Sequence, residues 1–232
     1  MSSFASKTKS IVEYVLEFIY PPRCMVCQEL AGFGSGQEFI CEKCMEKLKY
    51  ADNVSLHFDM LKFHKTEIAF DIGYAAFKYE TVKPLIEAFK FSKIKSLGKF
   101  IAGLMNDFAL QRSAYDDIDI FVPVPISRER FIERGFNQTE VLAEHLSMLS
   151  GIAYVNALKR DKNTVAQFRI NDPQKRIGNL KDAFTVIENI TGLNILLIED
   201  IFTTGATLNE CAATLKKAGA NRVDFLSFSI SV

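Results

Sequence analysis

The chain has 232 residues, with 28 basic and 28 acidic side chains, 48% hydrophobic residues, 20 Phe and no Trp. This length suits one medium domain, or a domain plus a small module, and it can bury a substantial core. The balanced charge excludes a globally basic nucleic-acid binder, so contact with DNA or RNA must rest on local patches, and no apolar run approaches a membrane span.

The first apolar stretch, Ile11 to Tyr20, is interrupted by Glu13 and Glu17, and no small-residue cleavage site follows it. It predicts a short amphipathic helix, not a signal peptide, and hence a cytoplasmic location. In that compartment clustered cysteines favour metal over disulfides. Cys24-x-x-Cys27 and Cys41-x-x-Cys44 make two knuckles around Gly32-Phe33-Gly34-Ser35-Gly36. The spacing predicts one structural Zn²⁺ held tetrahedrally by Cys24, Cys27, Cys41 and Cys44, with disulfide pairing as the alternative. A segment this short has too little core to fold alone, so the metal would hold it together. Residues 1–50 are expected to form this module, 51–67 a polar linker with His57 and His64 as ordinary loop histidines, and 68–232 the main domain.

Strand-like runs in the main domain are Ile68 to Phe77, Asp119 to Val124, Ala153 to Leu158, Ala183 to Val186, Asn194 to Ile198 and Val223 to Ile230. Helical patterns lie between them at Lys83 to Phe91, Leu97 to Leu110, Thr139 to Ser150 and Ala206 to Lys217. The alternation predicts an α/β fold, a mainly parallel sheet flanked by helices. Asn137-x-x-Glu140 reads as a capping box, His145 as a core-edge histidine and Cys211 as small core filler.

Three segments carry chemistry. Ile195 to Ile198 is an unbroken apolar run that leads into Glu199-Asp200, then Thr203-Thr204-Gly205-Ala206-Thr207 and a helical pattern. It predicts a strand buried on both faces whose carboxyl edge carries two acids, followed by a loop whose N–H groups and hydroxyls can wrap a phosphate at a helix N-terminus. Adjacent carboxylates beside an anion cradle fit a ligand offering vicinal hydroxyls or a divalent cation together with phosphate; an ordinary solvated turn is the alternative. Phe121 to Pro125 ends a second strand in a turn stiffened by Pro123 and Pro125, and Arg128, Arg130 and Arg134 follow it, either meeting phosphate oxygens or lining a solvated helix face with Glu129 and Glu133. Lys159 to Asn179 is rich in basic residues and poor in apolar anchors, which suits a mobile lid over a pyrophosphate or contact with a nucleic-acid backbone. A separate interleaving of Lys78, Lys83, Lys90, Lys93, Lys95 and Lys99 with Phe77, Tyr79, Phe89, Phe91 and Phe100 could grip a single strand, or could be aromatic core with solvated lysines.

The acid pair and threonine loop resemble the 5-phosphoribosyl-1-pyrophosphate (PRPP) site of type I phosphoribosyltransferases. The combination of Val122 to Pro125, Arg134 to Gln138, Thr164 with Gln167, Arg176 with Asn179, Ala183-Phe184 and the PRPP loop, behind four cysteines, resembles the ComF family of competence proteins from about Tyr20 onward. The same half also resembles the synthase half of amidophosphoribosyltransferases. These resemblances imply a type I phosphoribosyltransferase-like fold. They assign PRPP binding, with Mg²⁺, to Pro123, Val124, Pro125, Glu199, Asp200, Thr203, Thr204, Gly205, Ala206 and Thr207, and a pyrophosphate lid to Arg134, Lys159, Arg160, Gln167, Arg169 and Arg176. Glu199, Asp200 and Arg169 would be catalytic were there turnover. The ComF resemblance further implies handling of incoming single-stranded DNA beside a helicase and a recombination mediator, with Lys90, Lys93, Lys95, Arg128 and Arg130 as the candidate DNA contacts. A salvage transferase acting on a nucleobase or amine is the other expectation.

Overall fold

The computed structural model describes residues 23–30, 39–51, 68–91, 95–161 and 183–231. The Ile11 to Tyr20 segment, the glycine loop, His57, His64, Lys93, Thr164, Gln167, Arg169, Arg176 and Asn179 lie outside the described residues. The chain divides into two compact units, Met1–Lys49 and Tyr50–Val232.

In the first unit, Cys24 opens a tight knuckle: its N–H donates to the Glu29 carbonyl, and its carbonyl accepts from Gln28 N–H, each at 2.9 Å. Gln28 takes φ +63° to make that turn, and Arg23 bridges to Leu30. The second knuckle runs into a short helix, α1 (Glu42–Lys47), entered from Cys41. Only Phe39, Ile40 and the cysteines Cys24 and Cys44 are buried hydrophobics among the described residues of this unit. Among the described residues this core is small, as expected for a segment organised by its thiols.

The second unit is built on a five-stranded sheet. Its strands are β1 (Gly73–Lys78), β2 (Ile120–Pro123), β3 (Ala153–Tyr154), β6 (Asn194–Phe202) and β7 (Arg222–Ile230), in the order β1-β7-β6-β2-β3, and every pairing is parallel. Parallel strands need crossovers, which here are the helices α2 (Tyr79–Phe91), α3 (Lys95–Gln111), α5 (Gln138–Ser150) and α6 (Ala206–Lys217). Helices on the sheet faces explain why Ile195, Leu196, Leu197 and Ile198 of central β6 are all fully buried.

The structure departs from the sequence reading in several places. The run from Ala153 to Leu158 splits: β3 joins the main sheet, while β4 (Leu158–Arg160) pairs antiparallel with β5 (Phe184–Val186) in a separate ribbon. The helix expected from Lys83 starts at Tyr79 and carries Pro84 inside it; buried Val82, Leu85, Ile86 and Phe89 outweigh the backbone bond that proline removes. Arg128–Arg134 forms a short helix, α4, capped by Ser127 and ended by Gly135 at φ +81°. Asn137 does cap α5 through Thr139 N–H at 3.3 Å, but Glu140 accepts from Asn156 Nδ2 at 2.7 Å, which connects the helix to the chain beyond it. Tyr50 and Ala51, expected in the module and the linker, belong to the second unit: Tyr50 packs on Phe77 and Phe108, and Ala51 N–H donates to the Ala76 carbonyl. Finally, β6 does not stop before the acids. Its ladder with β7 continues through Ile201 and Phe202, where Phe202 stacks on Phe225 with centroids 5.1 Å apart.

Candidate functional site

Four thiols from two knuckles make the first unit's site. The sulfurs of Cys24, Cys27, Cys41 and Cys44 all lie within 4.8 Å of one another, and Cys27 Sγ sits 3.8 Å from Cys41 Sγ. A tetrahedron with Zn–S bonds of about 2.3 Å has edges of about 3.8 Å, so the set fits one zinc ion. None of these cysteines is in a disulfide. Burial works against a Cys24 thiolate, but the amides of Cys27, Cys41 and Val26 outweigh it and bring its pKa down to about 6. Burial and the neighbouring thiols push Cys44 up to about 12. Four thiolates repel without a cation between them; a divalent ion removes that repulsion and holds all four deprotonated.

The second site lies at the carboxyl edge of the parallel sheet. Glu199 and Asp200 stand within β6, and the register places Pro123 of β2 opposite Ile198, so the Pro123-Val124-Pro125 turn leaves the sheet beside the acids. Val124 N–H continues the ladder by donating to the Ile198 carbonyl at 3.1 Å. Its own carbonyl is gripped from α5, by Thr139 Oγ1 at 2.6 Å and by Asn137 Nδ2 at 3.4 Å. After β6 the chain turns through Thr203 and Thr204 to Gly205, whose φ of +72° starts α6. Left-handed backbone costs other residues about 1 to 2 kcal/mol, which explains glycine at this step. Thr204 Oγ1 accepts from Ala206 N–H at 3.4 Å, and the N-terminus of α6 faces the loop.

Strand alternation sorts the charges around the acid pair. Asp200 Oδ2 meets Lys90 Nζ at 3.0 Å, with both side chains mostly buried, at 14% and 16% exposure. Arg134, the last residue of α4, is 8% exposed, donates from Nη1 to Gln138 Oε1 at 2.8 Å and lies in the field of both acids. Glu199 instead interacts with Cys211 of α6 and with Arg160 of β4, whose guanidinium lies over the Phe184 ring. The acids still meet: Asp200 N–H donates to Glu199 Oε1 at 3.0 Å and the two carboxyls hydrogen-bond. Burial and the Asp200 charge push Glu199 well above the ordinary carboxylate range. Burial opposes ionisation of Asp200 too, but Lys90 and the hydrogen bond from Glu199 hold its pKa below the ordinary value. The two carboxyls are thus shifted in opposite directions, in a setting that holds Lys90, Arg134 and Arg160.

The structure thus brings together Pro123, Val124, Pro125, Glu199, Asp200, Thr203 to Thr207, Arg134 and Arg160. Lys159 stands apart, exposed and paired with Asp161 at 3.0 Å. Lys90, expected on a nucleic-acid face, is turned into the acid pair instead. Phe89, read as a possible stacking group, is core at 1% exposure against Phe136, whereas Phe91 is 63% exposed. Arg128 is exposed and Arg130 half-buried. Sequence reasoning placed Lys90 among candidate nucleic-acid contacts and missed its pairing with Asp200, as it missed the hold of Thr139 and Asn137 on the turn. The signal for Lys90 was its helical row: Val82, Ile86 and Lys90 follow at steps of four, which puts a lysine on the buried stripe.

An acid pair within the central strand, a threonine-glycine loop opening the next helix and a stiff turn on the neighbouring strand define a phosphoribosyltransferase-like α/β protein, here with a four-cysteine zinc module. Residues 15–54 match the double zinc ribbon domain. The competence protein ComFC of Streptococcus pneumoniae is 30% identical over 154 residues, which are 66% of this chain and 66% of that protein. Competence protein F of Haemophilus influenzae is 29% identical over 62% of this chain and 66% of its own, and ComFC of Bacillus subtilis 33% identical over 60% and 55%. The chain belongs to the ComF family of competence proteins, and its matches span two-thirds or less of those relatives' length. Among solved structures, glutamine PRPP amidotransferase from B. subtilis overlaps with a TM-score of 0.37 at 20% identity, over 59% of this chain and 26% of that one. A purine phosphoribosyltransferase from Pyrococcus horikoshii overlaps at 0.34 and 11%, over 70% and 89%.

Proposed function

We propose that the second unit binds PRPP, or a closely related phosphorylated ribose, together with Mg²⁺, and that the protein acts in natural competence by handling incoming single-stranded DNA. The observation that carries the ligand reading is the unbroken path from Glu199-Asp200 to the Gly205 turn at the N-terminus of α6. Carboxylate oxygens suit ribose hydroxyls or a hard cation, and the loop's N–H groups and hydroxyls suit a 5-phosphate. Support for an anionic ligand comes from Arg134, whose buried Nε has no hydrogen-bond partner among the described residues, as has Gln138 Nε2. Mg²⁺ bound with the ligand would neutralise pyrophosphate charge. Asp200 and Glu199 would orient the ribose, Arg134 and Arg160 would attract the phosphates, and the Val124 turn would hold the site's wall in place. Arg169, Gln167 and Arg176 are the proposed lid residues.

The DNA reading rests on the names of relatives, among them competence protein F and a DNA utilization protein of Escherichia coli that is 30% identical. Exposed Arg128 and Phe91, with Lys93 and Lys95, are the proposed contacts. The intact acid pair and loop favour one second reading, a working phosphoribosyltransferase with its own acceptor. Calorimetric titration with Mg-PRPP and with single-stranded DNA, followed by an assay for PRPP consumption, separates the two. Consumption with a nucleobase or amine acceptor supports the transferase. Binding of both ligands without consumption supports the DNA-handling protein, and no PRPP binding removes the ligand reading.

A further inference from the structure

Lys90 reaches the sheet edge from α2, on the same helical row as Val82 and Ile86, and its position is fixed by its neighbour. Phe89 packs where Gly98 of α3 has no side chain: a Cβ on Gly98 would come within 3.0 Å of the Phe89 ring and 2.6 Å of Val141. That close approach holds the end of α2 against α3, and from there the Lys90 ammonium meets Asp200 Oδ2 at 3.0 Å. An ammonium at this distance stands where a divalent ion bound to Asp200 would sit. The two cannot share the oxygen, since like charges a few ångströms apart repel strongly in a site with little water.

We propose that Lys90 is the resident counter-cation of the acid pair and a positioning residue for metal. It excludes free divalent ions from Asp200 and yields its place only when the metal arrives with a phosphorylated ligand, whose anionic oxygens give the ammonium a new partner. This rests on the reading of the edge as a site for a phosphorylated ribose and its metal. Metal and ligand affinities are then coupled through Lys90, each raising the other. Pre-ionised Asp200 is kept ready without an ion bound, and the site does not fill with cation alone.

The test uses Mn²⁺ alone as the probe, titrated into the full chain with its zinc in place and followed by the paramagnetic resonance of free Mn²⁺. Wild type is expected to bind weakly, Lys90→Met and Lys90→Gln at least about tenfold more tightly, and Lys90→Arg like wild type. Asp200→Asn combined with Lys90→Gln should lose the gain. Two neutral variants guard against misfolding of one, and thermal melts confirm that each is folded. If neither folded neutral variant binds Mn²⁺ more tightly than wild type, or if the gain survives loss of Asp200, the proposal is overturned. A parallel arm adds PRPP to wild type and to Lys90→Gln, with the Mn²⁺ taken up by PRPP alone subtracted: a rise in protein-bound Mn²⁺ that is larger in wild type than in Lys90→Gln supports the coupling, and an equal rise in both overturns the coupling while leaving the phosphorylated-ribose reading standing. Tighter Mn²⁺ binding by the neutral variants with no response to PRPP keeps Lys90 as counter-cation but overturns the coupling and the phosphorylated-ribose reading together.

Discussion

Asp200→Asn changes charge at almost constant shape, so it separates what the carboxylate does for the ligand from what it does for the fold. At 3.0 Å and an effective dielectric near 20, its attraction to Lys90 amounts to about 5 kcal/mol before desolvation is counted. Desolvation offsets most of that, and truncating such pairs costs between the about 0 to 1 kcal/mol of exposed pairs and the about 3 to 5 of buried ones. Glu199 moderates the loss further, because without the Asp200 charge it ionises more readily and can face Lys90 itself. The expected cost is about 1 to 2 kcal/mol, or about 2 to 8 °C in Tm for a chain of this size. The ligand effect is larger and opposite. Mg-PRPP at about a hundred times its Kd should stabilise wild type by about 2.7 kcal/mol, a rise of about 5 to 10 °C. Scanning fluorimetry of both proteins with and without ligand reads both quantities. The variant should start slightly lower and not respond; an equal ligand-induced rise in the variant would remove Asp200 from the binding site and refute the reasoning.

Removing zinc should unfold Met1–Lys49 and leave Tyr50–Val232 folded, since apparent binding energies of about 10 to 16 kcal/mol are large against so small a core; limited proteolysis after chelation checks this, and unchanged resistance of the first unit would contradict it. Glu199 has a folded pKa raised above its ordinary 4.5, so its contribution to stability is complete below that value and is lost as pH rises through the folded pKa. Glu199→Gln should therefore gain stability relative to wild type as pH rises above 4.5; a flat difference in melts would show that Glu199 is not held protonated, and Asp200, shifted downward, does not titrate above that value. If single-stranded DNA binds as proposed, Arg128→Ala should reduce the slope of log affinity against log salt by about 0.7, while Phe91→Ala should weaken binding at unchanged slope; fluorescence anisotropy across a salt series decides, and unaltered binding by both variants would leave the exposed edge of α2 and α4 without a role in DNA contact.

The parallel sheet was readable because a strand covered on both faces is apolar throughout, and the run Ile195 to Ile198, all fully buried, leads into the two acids at its carboxyl edge. The four cysteines were equally readable, since their spacing alone limits the geometry. Other features depend on contacts distant in sequence. The split of β3 from β4 follows from where β5 pairs, about 25 residues later, which no local pattern encodes. Glu140 left its capping box for Asn156, and Thr139 turned to Val124, because tertiary partners competed with local ones. Lys90 was grouped with its lysine neighbours by composition, whereas its helical row assigned it to the interior.

The continuation of β6 beyond its acids also bears on how this protein could diversify. Glu199 lies opposite Ser227 in the ladder with β7, pairing resumes at Ile201 beyond Asp200, and the strand is anchored farther on by Phe202 against Phe225. Their backbone is paid for by the sheet, independent of any chemistry at the edge. A descendant could neutralise either carboxyl, give up whatever ligand the acids hold, and still keep the same strand, loop and turn. The edge can therefore change what it recognises without the fold having to be rebuilt, and one scaffold can pass from one ligand to another.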